Sequence, residues 1–151
     1  MGIFIEDLLN LGNLMDAEIE AHIPEATLSQ ALGLETKIEK GLITFRIKKK
    51  GLIFSKTLEL KLSEESRMVK NLKEEGKRFV MGRMLTRSAV EELSKREDFL
   101  FEGEFAGFDV WKAFKLTETY EKVPYQFRER LALTRYIFSD YLLKIFMKVE
   151  K

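Results

Sequence analysis

Hydrophobic and polar residues alternate strictly in several short segments of the chain. In "DAEIEAHI" the apolar positions, which we expect to share one face, are Ala17, Ile19, Ala21 and Ile23. A period of two is typical of a half-buried strand. The next segment, "PEATLSQAL", begins with Pro24 and is followed by Gly33, which predicts a short helix. Near-helical spacing predicts another amphipathic helix over residues 3–15.

The same alternation surrounds the basic stretch "RIKKKGLIFSK" at residues 46–56 and predicts a β-hairpin. Lys50 and Gly51 would supply the turn. The predicted core-facing positions are Ile43, Phe45 and Ile47 on the incoming strand and Leu52, Phe54, Leu58, Leu60 and Leu62 on the outgoing strand. The lysines are therefore expected at the hairpin tip.

Residues 63–117 predict a second set of short elements. We expect a helix over 63–76 that ends at Gly76, a strand in "KRFVMGRM", a helix over 86–97, and a hairpin over 99–117 that turns at Gly103 or Gly107. The order strand-helix-strand-strand would then occur twice, at 16–62 and 78–117. This order resembles the duplicated folds of small-molecule-binding sensor domains.

The last apolar segment predicts a long amphipathic helix at about 125–149. Its main apolar stripe consists of Phe127, Leu131, Phe138, Tyr141, Leu142, Ile145 and Val149. Further apolar residues, Leu133, Tyr136, Ile137, Leu143, Phe146 and Met147, fall on the opposite side. A helix that is apolar on two sides must bury both, either in its own domain or against another chain, so we expect a homodimer or another oligomer.

These elements predict one α+β domain over residues 1–151, with an antiparallel sheet covered by the C-terminal helix. Basic and acidic residues nearly balance, at 26 and 25, so no overall field favours a polyanionic partner. No cysteine is present, which excludes disulfides and thiol catalysis. Abundant charge with three asparagines and two glutamines predicts a thermophilic source. We expect no secretory signal, no membrane span and a cytoplasmic protein.

Candidate chemistry is sparse. His22 is the only histidine, and we expect it at the surface of a strand. Glu102 and Glu104 would point the same way from one strand, with Asp109 nearby, and could serve an acid-base pair or a cation, although a solvated face is the better explanation. We therefore predict no catalytic residue, no metal site and no cofactor.

A polar strand face is the predicted location of Trp111, together with Asp109 and Lys115. Exposed tryptophans are typical anchors of interfaces and ligand pockets. The alternative is that another part of the chain covers this residue. The residues proposed to bind a ligand or partner are Trp111, Asp109, Tyr136 and Phe146.

The basic side chains of the hairpin have two interpretations. They are Arg46, Lys48, Lys49, Lys50 and Lys56. They could bind phosphates of nucleic acid or anionic lipid, or they could keep a hairpin soluble, which we favour. The leading hypothesis is thus a non-catalytic binding module for a small apolar ligand or a protein partner. Nucleic-acid binding through residues 46–56 is the alternative, and an enzyme that uses the three carboxylates is third.

Overall fold

The computed structural model describes residues 17–150, and this part of the chain is mostly β, with 56% strand and 21% helical residues. The strands are β1 (Ile19–Pro24), β2 (Glu35–Glu39), β3 (Leu42–Lys50), β4 (Ser55–Leu72), β5 (Lys77–Thr86), β6 (Phe99–Glu102), β7 (Phe105–Asp109), β8 (Leu131–Ser139) and β9 (Leu142–Val149). The helices are α1 (Glu25–Leu32), α2 (Val90–Leu93), α3 (Trp111–Phe114), α4 (Glu118–Lys122) and α5 (Tyr125–Arg128), with a 3-10 turn at Lys73–Glu75.

Two antiparallel sheets enclose the core. One has the order β2-β3-β4-β5-β7-β6 and the other has the order β1-β9-β8. Strand β8 contacts β4, β5 and β2, so the small sheet covers the middle of the large one. None of the helices described is long and apolar enough to cross a membrane. The helix predicted over 3–15 lies outside the described residues.

The first predicted elements are confirmed. In β1 the side chains of Ile19, Ala21 and Ile23 are buried. Helix α1 follows directly and ends at Gly33, whose φ of 64° places it in the left-handed region that favours glycine. The predictions agree with the structure here because strict alternation is specific to a strand, and a proline before and a glycine after a short segment are typical of a helix.

The predicted C-terminal helix is wrong, and with it the α+β class. Residues 131–149 form the β8–β9 hairpin, which turns at Asp140 and Tyr141. Tyr141 has a φ of 63°, and Asp140 Oδ1 accepts a hydrogen bond from the backbone N–H of Lys40. In β9 the buried residues include every second position, Leu143, Ile145, Met147 and Val149. Phe146 is buried as well, and a strand buried on both faces loses the clean alternation that separates it from a helix.

The helix predicted over 63–76 is also wrong, because β4 continues to Leu72. The pairing of β4 with β5 shifts between Glu64 and Val69, so residues 65–68 bulge out opposite Met81 alone. The polar composition of this segment is typical of an exposed helix, yet the bulge accommodates it in a strand. The helix predicted over 86–97 is reduced to α2.

The predicted duplication fails on topology. Elements in the order strand-helix-strand-strand do occur at β1-α1-β2-β3 and at β5-α2-β6-β7. However, β1 pairs with β9 in the small sheet, whereas β5 lies between β4 and β7 in the large one. The two halves therefore do not form equivalent units.

Side chains join the outer edge of β8 to the large sheet. Asn71 of β4 donates from Nδ2 to the carbonyl of Leu133 at 3.0 Å and accepts from the Leu133 N–H at 2.9 Å. Arg78 of β5 donates from Nε to the carbonyl of Leu131 at 3.2 Å. We call this junction the seam.

The other end of the seam is held near the β8–β9 turn. Glu64 accepts a hydrogen bond from the Phe138 N–H at 2.5 Å, and the Gly41 N–H donates to the Phe138 carbonyl at 3.0 Å. The Tyr141 N–H donates to the Ile38 carbonyl at 2.9 Å. These hydrogen bonds join β8 and the β8–β9 turn to β4, β2 and the β2–β3 turn, so they hold the small sheet to the large one at this end.

Tyr136 closes the seam at its centre. Its side chain is 3% exposed, and its hydroxyl hydrogen-bonds the carbonyls of Glu65 and Met81. Burial raises the pKa of Tyr136 to about 12. The hydroxyl holds the β4 bulge against β8, so the protonated form is the one the fold requires.

We expect Tyr136 to make stability depend on alkaline pH. Between pH 10 and about 12 the unfolded chain loses the Tyr136 proton while the folded chain keeps it, so unfolding becomes easier as pH rises. Two pKa units correspond to roughly 2–3 kcal/mol of unfolding free energy. Denaturant titrations across this range should show this loss in the wild type, and Tyr136→Phe should lack it while losing about 1–3 kcal/mol at neutral pH.

Ile145→Val is the matched control, because Ile145 lies opposite Tyr136 on β9 and is fully buried. It should lower stability by about 0.5–1.5 kcal/mol yet keep the wild-type pH dependence. An identical alkaline slope in Tyr136→Phe and the wild type would contradict this role.

Candidate functional site

The β3–β4 hairpin projects beyond the core. Ile47 and Leu58 form the last pair at which either side chain is buried, and all of residues 48–57 are exposed. We call residues 48–57 the hairpin tip. Its three paired positions extend roughly 10 Å beyond the Ile47–Leu58 pair at the usual strand rise.

The turn lies at Leu52 and Ile53. The Gly51 N–H donates to the Phe54 carbonyl at 2.8 Å, which closes a two-residue connection. A Cβ atom at position 51 would lie only 2.8 Å from that same carbonyl oxygen, so glycine permits the close approach of the two strands. The turn therefore leaves the side chains of Leu52 and Ile53 at the end of the projection.

The predicted burial of Leu52 and Phe54 is wrong. Leu52, Ile53 and Phe54 are 107%, 84% and 79% exposed. The structure pairs Lys49 with Lys56, whereas a turn at Lys50 and Gly51 would pair it with Leu52, four residues earlier. An even shift keeps every side chain on its face, which is why Leu58, Leu60 and Leu62 are still buried as predicted. The missed signal is the run of three apolar residues, which breaks the alternation.

Basic side chains surround the apolar end. Lys48 and Lys50 lie on one face of the hairpin, and Lys49 and Lys56 lie opposite each other on the other face. Lys49 pairs with Glu92 at 2.9 Å, and this hydrogen bond raises the pKa of Lys49. Within residues 17–150, no acid lies within ion-pair distance of Lys48, Lys50 or Lys56.

The fifth predicted base, Arg46, belongs to the hairpin base rather than to the tip. It donates from Nε to Glu59 at 2.7 Å, and this hydrogen bond raises the pKa of Arg46. Its charge is thus paired with Glu59, and Arg46 lies outside the tip.

Trp111 lies at the start of α3 rather than on a strand, and it is 5% exposed. The alternative in which other parts of the chain cover it is confirmed. The guanidinium carbon of Arg78 lies 3.7 Å from the indole centroid, and the Phe114 and Tyr120 rings pack at 5.3 and 6.0 Å. Trp111 is therefore a packing residue of the described fold.

Asp109 and Arg78 are buried beside Trp111. Asp109 Oδ1 accepts a hydrogen bond from the Trp111 N–H at 2.8 Å, and burial raises the pKa of Asp109. Arg78 is 1% exposed, and burial lowers the pKa of Arg78. Its Nη2 donates to the Glu129 carbonyl at 3.0 Å, while Nη1 has no hydrogen-bond partner among residues 17–150. The guanidinium is thus held by carbonyl groups and an aromatic face.

Tyr136 and Phe146 do not form a common site with Trp111. Tyr136 pairs with Ile145 across the β8–β9 ladder, whereas Phe146 pairs with Arg135, so their side chains leave opposite faces of the small sheet. Phe146 is 3% exposed, and the Arg135 guanidinium covers its ring at 3.7 Å. The structure therefore brings together only Trp111 and Asp109 among the four proposed ligand-binding residues.

The three carboxylates proposed for an enzyme are separated. Glu102 ends β6 and pairs with Lys70 at 3.1 Å, while Glu104 lies in the following turn and pairs with Arg83 at 2.6 Å. The prediction that Glu102 and Glu104 lie on one strand is therefore wrong. Asp109 is buried at the end of β7. His22 is at the surface, 2.5 Å from Glu20. In the described part of the chain, no group of three or more such residues could hold a metal ion.

An open cleft of about 320 Å³ lies beside Asp109. Its lining residues are Lys77, Arg96, Glu97, Asp98, Asp109 and Lys112. Arg96 holds Asp98 through hydrogen bonds of 2.9 and 2.8 Å, and Lys77 lies 4.0 Å from Glu97. Because three bases face three acids, the cleft presents no excess charge of either sign to a ligand.

Comparison of the chain with protein-family models, curated proteins and solved structures finds no match in any of the three. The hairpin tip is the described surface at which three consecutive apolar side chains are exposed beside lysines.

We expect Trp111→Ala to lower the free energy of unfolding by about 3–5 kcal/mol, because it removes a buried aromatic side chain and uncovers a buried guanidinium. Tyr125→Ala is the control, since Tyr125 is 84% exposed in α5, and its effect should be within about 0.5 kcal/mol. Denaturant unfolding measures both. A Trp111→Ala variant as stable as Tyr125→Ala would contradict the structural role.

Proposed function

We propose that the protein is a non-catalytic binding module whose working surface is the hairpin tip. The observation that carries this proposal is the exposure of three consecutive apolar side chains, Leu52, Ile53 and Phe54, beside three lysines that pair with no acid of the described residues. Such a surface fits a partner that is acidic and that accepts apolar side chains. We infer binding rather than catalysis because the tip carries no acid-base pair.

Exposure of the tip is unfavourable unless something covers it. A fully buried aliphatic or aromatic side chain gains roughly 1.5–3 kcal/mol over an exposed one, and the tip leaves three such gains unrealised. Other large apolar residues at the surface, such as Leu85 and Leu116, are isolated in the sequence. Contiguous exposed apolar residues, in contrast, typically mark interaction sites.

The lysines explain how the tip remains exposed in the free protein. Two tips brought together would oppose their positive charges, which disfavours self-association through this surface. The homodimer expected from a two-sided C-terminal helix loses that support, because Leu133 and Phe146 are buried within the chain's own fold. Oligomerisation stays a prediction. A small apolar ligand also stays a prediction, without a described cavity that supports it.

Nucleic-acid binding is the second candidate, and the concentration of lysines favours it. Phe54 is exposed and could stack on a base, but Phe45 is fully buried. Leu52 and Ile53 have no aromatic face for stacking. Nucleic acid would therefore use the charges and leave most of the apolar end uncovered.

We expect the full chain to bind a resin that carries both carboxylate and phenyl groups more strongly than resins that carry either group alone, at about 0.15 M salt. A variant with Leu52→Ser, Ile53→Ser and Phe54→Ser should elute earlier from the mixed resin. So should a variant with Lys48→Ser, Lys50→Ser and Lys56→Ser. The two chemistries lie on the same projection, so losing either should weaken retention.

Matched controls are Leu85→Ser with Leu116→Ser, and Lys115→Ser with Lys122→Ser and Lys148→Ser, at exposed positions outside the tip. These should elute with the wild type. Equal retention of the tip variants and the wild type would overturn the proposed function.

A further inference from the structure

We infer that the partner of the hairpin tip is an anionic lipid bilayer, which the tip enters from one side. This inference rests on the proposed function and names its partner. The protein would then act at a membrane surface without spanning the membrane.

The layering of the tip matches the layering of a bilayer. Leu52 and Ile53 form the end of the projection, and the lysines lie behind them along the strands. An interfacial apolar segment enters about 5–10 Å, to the boundary of headgroups and acyl chains. The three paired positions of the tip extend roughly 10 Å beyond the Ile47–Leu58 pair, so the apolar end can reach this depth ahead of the core.

The charges surround the projection instead of forming one patch. Lys48 and Lys50 lie on one face, and Lys49 and Lys56 lie on the other. Lipid headgroups surround an inserted segment on all sides, whereas a nucleic-acid strand or an acidic protein patch contacts one face at a time. Lys49 is paired with Glu92, so the charges available to headgroups are Lys48 and Lys50 on one face and Lys56 on the other.

The shape of the apolar end also favours lipid. Leu52 is 107% exposed, so it stands free of the body. A protein partner would need a preformed pocket to cover such a protruding end, whereas acyl chains rearrange around it. The aliphatic side chains at the turn are stabilised by burial among acyl chains, whereas they have no ring to stack on bases. This argues against nucleic acid.

Stable attachment requires both parts of the tip. A weak apolar anchor binds a membrane only marginally, and a second signal such as a basic cluster makes the attachment stable. Each lysine near an anionic surface strengthens binding roughly fivefold, so removing the three unpaired lysines should weaken it on the order of 100-fold. Losing the three apolar side chains should weaken it by at least tenfold.

Vesicle flotation with the full chain tests the inference. Vesicles of phosphatidylcholine with about 30 mol% phosphatidylglycerol should bind the wild type at about 0.15 M salt, and pure phosphatidylcholine should bind at least tenfold more weakly. The two tip variants should lose binding, and the Leu85→Ser with Leu116→Ser control should keep it. Circular dichroism confirms that each variant is folded.

Insertion is measured separately with Ile53→Trp. Its fluorescence should shift to shorter wavelength with anionic vesicles and should be quenched by brominated acyl chains, while the buried Trp111 gives the unchanged background. Glycerol phosphate at millimolar concentration should not displace the protein, which distinguishes a bilayer from free phosphate.

Absence of wild-type binding to anionic vesicles, or binding of both tip variants as strong as that of the wild type, would overturn the inference. So would single- or double-stranded oligonucleotides that bind more tightly than vesicles at the same salt. If vesicle binding fails but retention on the mixed resin still depends on the tip, the proposed function stands and only the lipid partner is wrong. If both fail, both proposals fall.

Discussion

The fold depends on how the outer edge of β8 is closed. Within residues 17–150, β8 is the last strand of the small sheet, and no strand of this range pairs with its outward backbone groups. Buried N–H and C=O groups must be paired, and here side chains of the large sheet pair them. The amide of Asn71 matches both groups of Leu133, and the guanidinium of Arg78 reaches the Leu131 carbonyl. Side-chain hydrogen bonds thus replace the backbone hydrogen bonds that a neighbouring strand would make at this edge.

The closed seam also determines which surface stays free. Strand β4 spans 18 residues, and its later part carries Asn71 and the bulge that Tyr136 holds. Its first part pairs with β3 and passes beyond the core before Leu58. Because the two sheets already bury their apolar faces against each other, the core needs nothing from the hairpin tip. The tip's apolar residues are therefore available for a partner.

Local signals in the sequence identified part of this arrangement. Strand β1, helix α1 and the inner face of β3 and β4 follow from unambiguous periodicity. Residues 131–149 were not identifiable in this way, since burial on both faces of a strand resembles a buried helix. The decisive contacts of the seam join residues more than 50 positions apart, such as Asn71 with Leu133. No local pattern encodes such pairs.

For the candidate site, the sequence predicts the position of the lysines but not the exposure of the apolar residues. The sequence predicts the lysines at a hairpin tip, where the structure has them, but it predicts the turn two residues too early and so assigns Leu52 and Phe54 to the core. Trp111 was placed on a strand, whereas the chain turns into α3 and covers it with Arg78. In both cases the position of a single turn decided whether a large side chain is buried or exposed.

Hydrogen exchange of the full chain with and without anionic vesicles tests the central claim most directly. In the free protein the amides of residues 48–57 should exchange rapidly, and the amide of Leu133 should be among the slowly exchanging ones because Asn71 binds it. Vesicles should slow exchange within residues 48–57 and leave the seam unchanged. Slow exchange of the tip in the free protein, or protection that appears elsewhere while the tip stays unprotected, would contradict the account.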